Sequence, residues 1–221
     1  MRKWMKRTAP AGEPEHGLGL PADQRAMRER LLAAPVVPAP EPWRRVFGHT
    51  YGTPVGGLVG IGFAAHPDDG RDLVMAVSHA GHGLFDAVTG ERIARDHDPD
   101  PEDALPDEVS GLSCPGLGPI AGRRVRIAGL FGGGLRTTTE DGWTLEVALP
   151  ARPDERVLLS REGGSPPVGP QGERRWHIYH ADFSELRTAG FSPSGRTVAV
   201  ATSSELALWT RRPAGGPGVH P

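Results

Sequence analysis

The sequence predicts an all-β domain of three to four antiparallel sheets with one N-terminal helix. Three observations lead there. First, a segment occurs twice in diverged form. Gly62-Phe63-Ala64-Ala65-His66-Pro67-Asp68-Asp69-Gly70 runs into the apolar stretch from Asp72 to Ser78 and on to Gly83-Leu84-Phe85-Asp86. Gly190-Phe191-Ser192-Pro193-Ser194-Gly195 runs into Thr197 to Thr202 and on to Leu206-Ala207-Leu208-Trp209-Thr210. Each copy reads as strand, Pro/Asp/Ser/Gly turn, strand, short turn, strand, and one such unit cannot hide both of its faces alone. Second, stretches between the copies alternate apolar and polar residues with the period of two that a strand requires. Third, the 31 glycines and 23 prolines concentrate at the two ends and in interior loops, leaving the remainder able to form a core.

Residues 1–20 carry Pro and Gly without periodicity and are expected to be disordered. A helix is predicted over Pro21 to Ala34, with Pro21 suited to a first turn and Asp23 complementing the amino-terminal dipole. Its apolar stripe, Met27, Leu31 and Leu32, is placed to dock on a sheet. Pro35, Pro38, Pro40 and Pro42 then impose an extended linker, because proline cannot continue a helix. The domain division is therefore a flexible tail, helix and linker over 1–42, the β domain over 43–212, and a disordered tail over 213–221.

Within the β domain, Arg45 to His49 reads as a strand. Leu58–Ala65, Leu73–Ser78, Gly83–Asp86 and Glu91–Arg95 form one four-stranded sheet joined by tight turns. Asp96 to Glu108 is an acidic, proline-punctuated loop, and Cys114 to Gly122 reads as irregular. Arg123 to Phe131 forms a strand with Val125 and Ile127 on one face, ended by Gly132-Gly133-Gly134. Arg136 to Glu140 leads to a hairpin turn at Asp141-Gly142. Trp143, Leu145, Val147 and Leu149 share a face in the next strand, and Arg156 to Leu159 completes a middle sheet. Gly163 to Gly172 is a flexible loop, Trp176 to His180 is a further strand, and the second copy follows.

The two copies, over 58–95 and 186–211, resemble WD40-type repeats. The likeness rests on the Phe191-Ser192-Pro193-Ser194-Gly195 turn, its partner at His66-Pro67-Asp68-Asp69-Gly70, and the closing pairs Phe85-Asp86 and Trp209-Thr210. Only the first closing pair keeps an acid. Phe63 and Phe191 stand about three repeats of roughly 40–45 residues apart, and the stretch from Trp43 holds about four. The resemblance implies a small propeller-like domain, with Val46 to His49 supplying the outermost strand of the last sheet. It says almost nothing about activity.

The formal net charge is −2 with both signs interspersed. That balance gives no reason to expect nucleic-acid binding. The basic start around Trp4 is too short and too soon interrupted by Pro10 to be more than a solvated tail. No apolar run approaches the roughly 18 residues of a membrane helix, and no apolar segment follows the basic amino terminus. A cytoplasmic chain without membrane partners is expected, and Cys114 as the single cysteine fits a reducing compartment.

Four groups of residues are candidates for chemistry. His66, Asp68, Asp69, His79, His82 and Asp86 are the densest imidazole/carboxylate group, but nothing in their spacing demands convergence on an ion, and structural roles at turns are expected. Asp96, Asp98, Asp100, Glu102 and Asp103 lack the glycine a calcium loop uses, so Asp98, Asp100 and Glu102 are read as partner contacts. The stretch from Gly129 to Thr139 suggests a ligand loop, with Gly132, Gly133, Gly134, Arg136 and Thr138 as contacts. It lacks the Gly-Lys-Ser/Thr ending of a phosphate loop, and a strand break or bulge is its rival role. Cys114 precedes Pro115 with no basic neighbour in sequence to activate it, and no serine nucleophile motif occurs.

The expectation is a non-catalytic interaction module without cofactor or metal, meeting a protein partner through the acidic loop and the exposed aromatics Trp43 and Trp4. The alternative is a binder of small or phosphorylated ligands at residues 129–139. A metal-dependent hydrolase at His66–Asp86 comes last. A partial propeller would also expose sheet edges through which two copies could pair.

Overall fold

The computed structural model describes residues 21–47, 52–151, 154–161 and 174–211. Helix α1 (Ala22–Ala33) is followed by two short strands, β1 (Arg44–Arg45) and β2 (Thr53–Pro54). Sheet I contains β3 (Leu58–Ala65), β4 (Asp72–Ser78), β5 (Gly81–Asp86) and β6 (Arg92–Asp96). Sheet II pairs β7 (Ser113–Pro115) with β8 (Arg124–Arg126), and β9 (Ala128–Gly129) returns to the free edge of β3. Sheet III contains β10 (Trp143–Ala148), β11 (Glu155–Arg161) and β12 (Arg175–Ala181). Sheet IV contains β13 (Leu186–Phe191), β14 (Thr197–Thr202) and β15 (Glu205–Thr210), with β1 and β2 both paired to β15. All pairings are antiparallel. The fold is all-β with one helix, as the strand periodicity requires.

The unbroken apolar runs of β4 and β14 follow from burial on both faces, since side chains alternate along a strand. Val198 and Val200 of β14, with Ala207 and Trp209 of β15, enter a core shared with sheet III. Their neighbours Ala199, Ala201, Leu206 and Leu208 enter a second core shared with sheet I. In β4 the same rule sends Val74 and Ala76 to that second core, and Leu73, Met75 and Val77 to a third, shared with sheet II. The packing order is therefore III–IV–I–II. Among the described residues, no buried apolar cluster joins sheet II to sheet III.

Glycines set how closely these layers approach. A Cβ on Gly62 would stand 2.2 Å from the Arg126 carbonyl oxygen, and one on Gly60 would stand 2.6 Å from that of Ala128. Residues 126–128 thus lie directly on β3, which brings Val125 and Ile127 into the third core. The predicted strand Arg123–Phe131 is consequently split, β8 serving sheet II and β9 serving sheet I.

Several expectations need correction. Cys114 to Gly122 is ordered: β7 pairs with β8, and a 3₁₀ turn at Gly118–Ile120 buries Ile120. The middle sheet is not completed by Arg156 to Leu159: the further strand at Trp176 to His180 pairs with it as a third member. The outermost strand of sheet IV is formed by Arg44–Arg45 and Thr53–Pro54, and of the expected Val46–His49 the Val46 N–H donates to the Leu208 carbonyl at 2.9 Å; residues 48–51 lie outside the described residues. Val147 and Leu149 are exposed, although Trp143 and Leu145 on the same strand are buried. The two copies also differ in length. His66 N–H donates to the Arg71 carbonyl as Ser192 N–H does to that of Thr197, whereas Val77 faces His82 as Ala201 faces Leu206. The first copy's middle strand is thus two residues longer, and Phe63 is not the register equivalent of Phe191.

The helix and proline linker are fastened to sheet III. The Arg156 guanidinium donates to the carbonyls of Ala34 (2.7 Å) and Leu32 (2.8 Å), satisfying the open end of α1. Val37 N–H donates to the His177 carbonyl at 2.8 Å, and Leu31 is buried. The expected disordered stretch 1–20, the loop 163–172 and the tail 213–221 lie outside the described residues. No helix among the described residues is long and apolar enough to cross a membrane.

His177 is 1% exposed, and burial, with the charges of Arg175 and Arg156, pulls its pKa from 6.5 down to about 4. The unfolded chain therefore binds more protons than the folded one between those values. The resulting stability is fully present above pH 6.5 and is lost as pH falls toward 4, on the order of 3 kcal/mol in total. Urea denaturation across that window should show this slope in the wild type and its flattening in His177→Gln. In the same assay Gly62→Ala should lose about 1–3 kcal/mol through overpacking. Gly134→Ala, whose Cβ would meet nothing within 4 Å, should stay within about 0.5 kcal/mol of wild type.

Candidate functional site

The hairpin turns of the two copies are tied together at one end of sheets I and IV. In the second copy, Gly195 N–H donates to the Ser192 carbonyl (2.9 Å), and Gly195 has φ +69°, a conformation that side chains disfavour. Asp72, the first residue of β4, lies beneath this turn and is 6% exposed. Its Oδ2 accepts hydrogen bonds from Ser192 Oγ (2.8 Å), Ser194 Oγ (2.7 Å) and Thr197 Oγ1 (2.8 Å). Arg196 Nη2 donates back to the Gly70 carbonyl at 2.6 Å. A buried carboxylate with this many donors is a fastener between sheets.

A strap over residues 135–139 supplies the second wall. Phe191 N–H donates to the Arg136 carbonyl (2.7 Å), joining the strap to sheet IV, and Leu145 N–H donates to that of Thr137 (2.8 Å), joining it to sheet III. Between strap and turn runs a groove of about 460 Å³, lined by Arg136, Thr138 and Glu140 on one side and Pro193, Ser194 and Arg196 on the other. Arg136 Nη1 reaches across to the Pro193 carbonyl at 3.3 Å. Arg211 lies at one end, where its fork grips Asp141, its Nε donates to the Gly195 carbonyl (2.9 Å), and its guanidinium stacks over the Trp43 ring at 4.7 Å. That grip holds the Asp141 carboxyl well below the usual carboxylate range. Arg196 and Arg211 also border a cleft of about 160 Å³, with Arg44 and Arg71.

Of the residues expected to bind a ligand, Arg136 and Thr138 line this groove, whereas Gly132, Gly133 and Gly134 do not. Gly129 and Gly132 exchange hydrogen bonds at 3.0 Å, so the glycines build a tight hairpin at the edge of sheet I, with Gly132 and Gly133 at positive φ. Of the expected partner contacts, Asp98, Asp100 and Glu102 are exposed on the loop after β6. Trp43 is corrected: at 2% exposure it sits in the core of sheets III and IV, edge-on to Trp143 at 5.8 Å and beside Phe191 at 5.7 Å. Trp4 lies outside the described residues.

The imidazole/carboxylate group is spread along the edges of sheet I. Asp86 accepts from the backbone N–H groups of Val88 (2.8 Å) and Thr89 (3.1 Å) and from Arg71 Nε (2.6 Å). Burial opposes its ionisation, but these donors outweigh burial and hold its pKa below the ordinary value. His82 Nε2 lies 2.9 Å from the Ala104 carbonyl, and His66 Nδ1 accepts from Asp68 N–H. Among the described residues, no three His, Cys, Asp or Glu side chains are grouped to hold a metal ion. Cys114 is buried in β7, and burial pushes its thiol pKa up to about 11, despite Arg124 across the sheet.

Arg196, Arg211 and Ser194 are groove residues that reading the sequence missed. A signal was present: both copies place arginine directly after the turn glycine, at Gly70-Arg71 and Gly195-Arg196. No protein-family model, curated protein or solved structure matches this chain.

Asp72→Asn should destabilise the fold by about 1–3 kcal/mol, because it leaves hydroxyls competing for a weaker acceptor. In a double-mutant cycle by urea denaturation, Asp72→Asn and Thr197→Val should be strongly non-additive. Simple additivity would break the link between the sheets that these side chains are said to make.

Proposed function

We propose that this chain is a non-catalytic recognition module, built on WD40-like β blades, that holds a protein partner in the cytoplasm without cofactor, metal, nucleic acid or membrane. The observation that carries this reading is how the polar side chains near the clefts are used. Asp72, Ser192, Ser194 and Thr197 bond one another, Asp86 caps a turn, and Asp141 is gripped by Arg211. A nucleophile needs a base within hydrogen-bond reach and freedom to react. These groups serve instead to make a rigid platform, which lowers the ordering cost of association. The WD40-like reading draws support from the meander order of both copies and from the amino-terminal strands that complete sheet IV. The single buried cysteine supports a reducing compartment.

A second reading, pairing of two copies through a sheet edge, is favoured by β10. Its outer side meets residues 137–139 only near Trp143 to Leu145, and Val147 and Leu149 beyond them are exposed. An open apolar edge is a template for another strand.

The immobilised full-length chain should enrich a protein from native lysate that then forms a saturable complex with it when both are purified. Asp98→Lys with Asp100→Lys should slow association at low salt, as exposed steering charges do. If no recovered protein binds once purified, the partner reading fails. Mass doubling with concentration in sedimentation velocity, abolished by Val147→Lys, would put the paired-copy reading in its place.

A further inference from the structure

The groove between the strap and the second turn stands out against the rest of the surface by its arginines. Together with the adjoining cleft it is bordered by five guanidinium groups, from Arg44, Arg71, Arg136, Arg196 and Arg211, against three carboxylates, Asp72, Glu140 and Asp141. Two of those carboxylates are spent inside the protein: Asp72 on three hydroxyls and Asp141 on Arg211. Arg71 is likewise spent, on Asp69 and Asp86. Among the described residues, Arg44, Arg136 and Arg196 have no carboxylate within 4.0 Å. A chain whose formal charge is −2 thus gathers unneutralised positive charge at one end.

These arginines are also held in place. Arg136 and Arg196 each give one donor to a backbone carbonyl, of Pro193 and Gly70 respectively, and retain the others. The turn that carries Arg196 is itself pinned by Asp72. Arg136 and Arg196 rise from opposite walls of one groove, and the Thr138 side chain lines the same space.

We propose that this groove recognises a phosphomonoester on a partner polypeptide, with Arg136 and Arg196 as its principal contacts and Thr138 assisting. The proposal rests on the recognition-module reading and names the chemistry that it recognises. A phosphorylated side chain carries close to two negative charges and three acceptor oxygens, so it can take donors from both walls at once. A carboxylate is satisfied by a single guanidinium fork. Among the described residues no aromatic side chain lines the groove to stack a base, which disfavours nucleotides and single-stranded nucleic acid.

The test titrates the full chain with acetyl-phosphoserine-N-methylamide, its unphosphorylated counterpart, inorganic phosphate and a short single-stranded DNA, followed by calorimetry and amide chemical shifts. Saturable binding of the phosphoserine compound is expected, with shifts at Thr138, Ser194 and Arg196 and none from the unphosphorylated form. Arg136→Ala with Arg196→Ala should weaken it at least about tenfold, given the usual strength of hydrogen bonds between charged groups, while Arg123→Ala, just before β8, leaves it unchanged. Arg136→Glu with Arg196→Glu, checked for an unaltered melting temperature, guards against loss through misfolding. Tighter binding of DNA, equal binding of inorganic phosphate, or equal weakening by Arg123→Ala would each overturn the proposal. Failure here with a verified protein partner refutes the groove alone; loss of the partner as well refutes the module reading.

Discussion

One carboxylate joins the two halves of this fold. Asp72 begins the second strand of the first copy, yet every hydrogen bond to its Oδ2 comes from the turn of the second. Burial makes that arrangement decisive: a carboxylate away from water is costly unless donors surround it, and these donors exist only when sheets I and IV are docked. The turn from Ser192 to Thr197 takes its shape from the same bonds. The wall of the arginine-lined groove therefore depends on a residue that never faces it.

Around that fastener, the architecture is a row of sheets separated by apolar layers. Sheets I and IV are covered on both faces, which is why β4 and β14 read as unbroken apolar runs, while sheets II and III close the ends. Close backbone approach at Gly60 and Gly62 sets the spacing between β3 and the chain that leads to β9. Trp43 contributes as a core aromatic packed on Trp143 and Phe191, and Arg211 stacks over its ring. The strand pairing that follows it brings the amino-terminal part of the domain onto β15.

Much of the fold was legible in local pattern. The paired turns, the strands of sheet I to within a residue or two, the helix and its stop at Pro35 each follow from short-range chemistry: turn residues, alternation, and the missing N–H of proline. The errors have a common cause. Trp43 reads as exposed because its neighbours are prolines and arginines, and only packing against sheets III and IV hides it. Cys114 to Gly122 reads as irregular because three glycines and two prolines mask a short strand that exists only by pairing with β8. The glycines at 132–134 suggested a ligand where they serve a hairpin, although Arg136 and Thr138, just beyond them, do line the groove.

What the sequence determined by itself is therefore the set of elements: where strands run, where they must turn, and that two similar units need neighbours. Those properties rest on residues adjacent in the chain. Tertiary structure alone decided which arginines share a groove, which strands complete sheet IV, and which polar groups are spent as fasteners. Each of those depends on the register between sheets, which contacts between residues far apart in the chain establish.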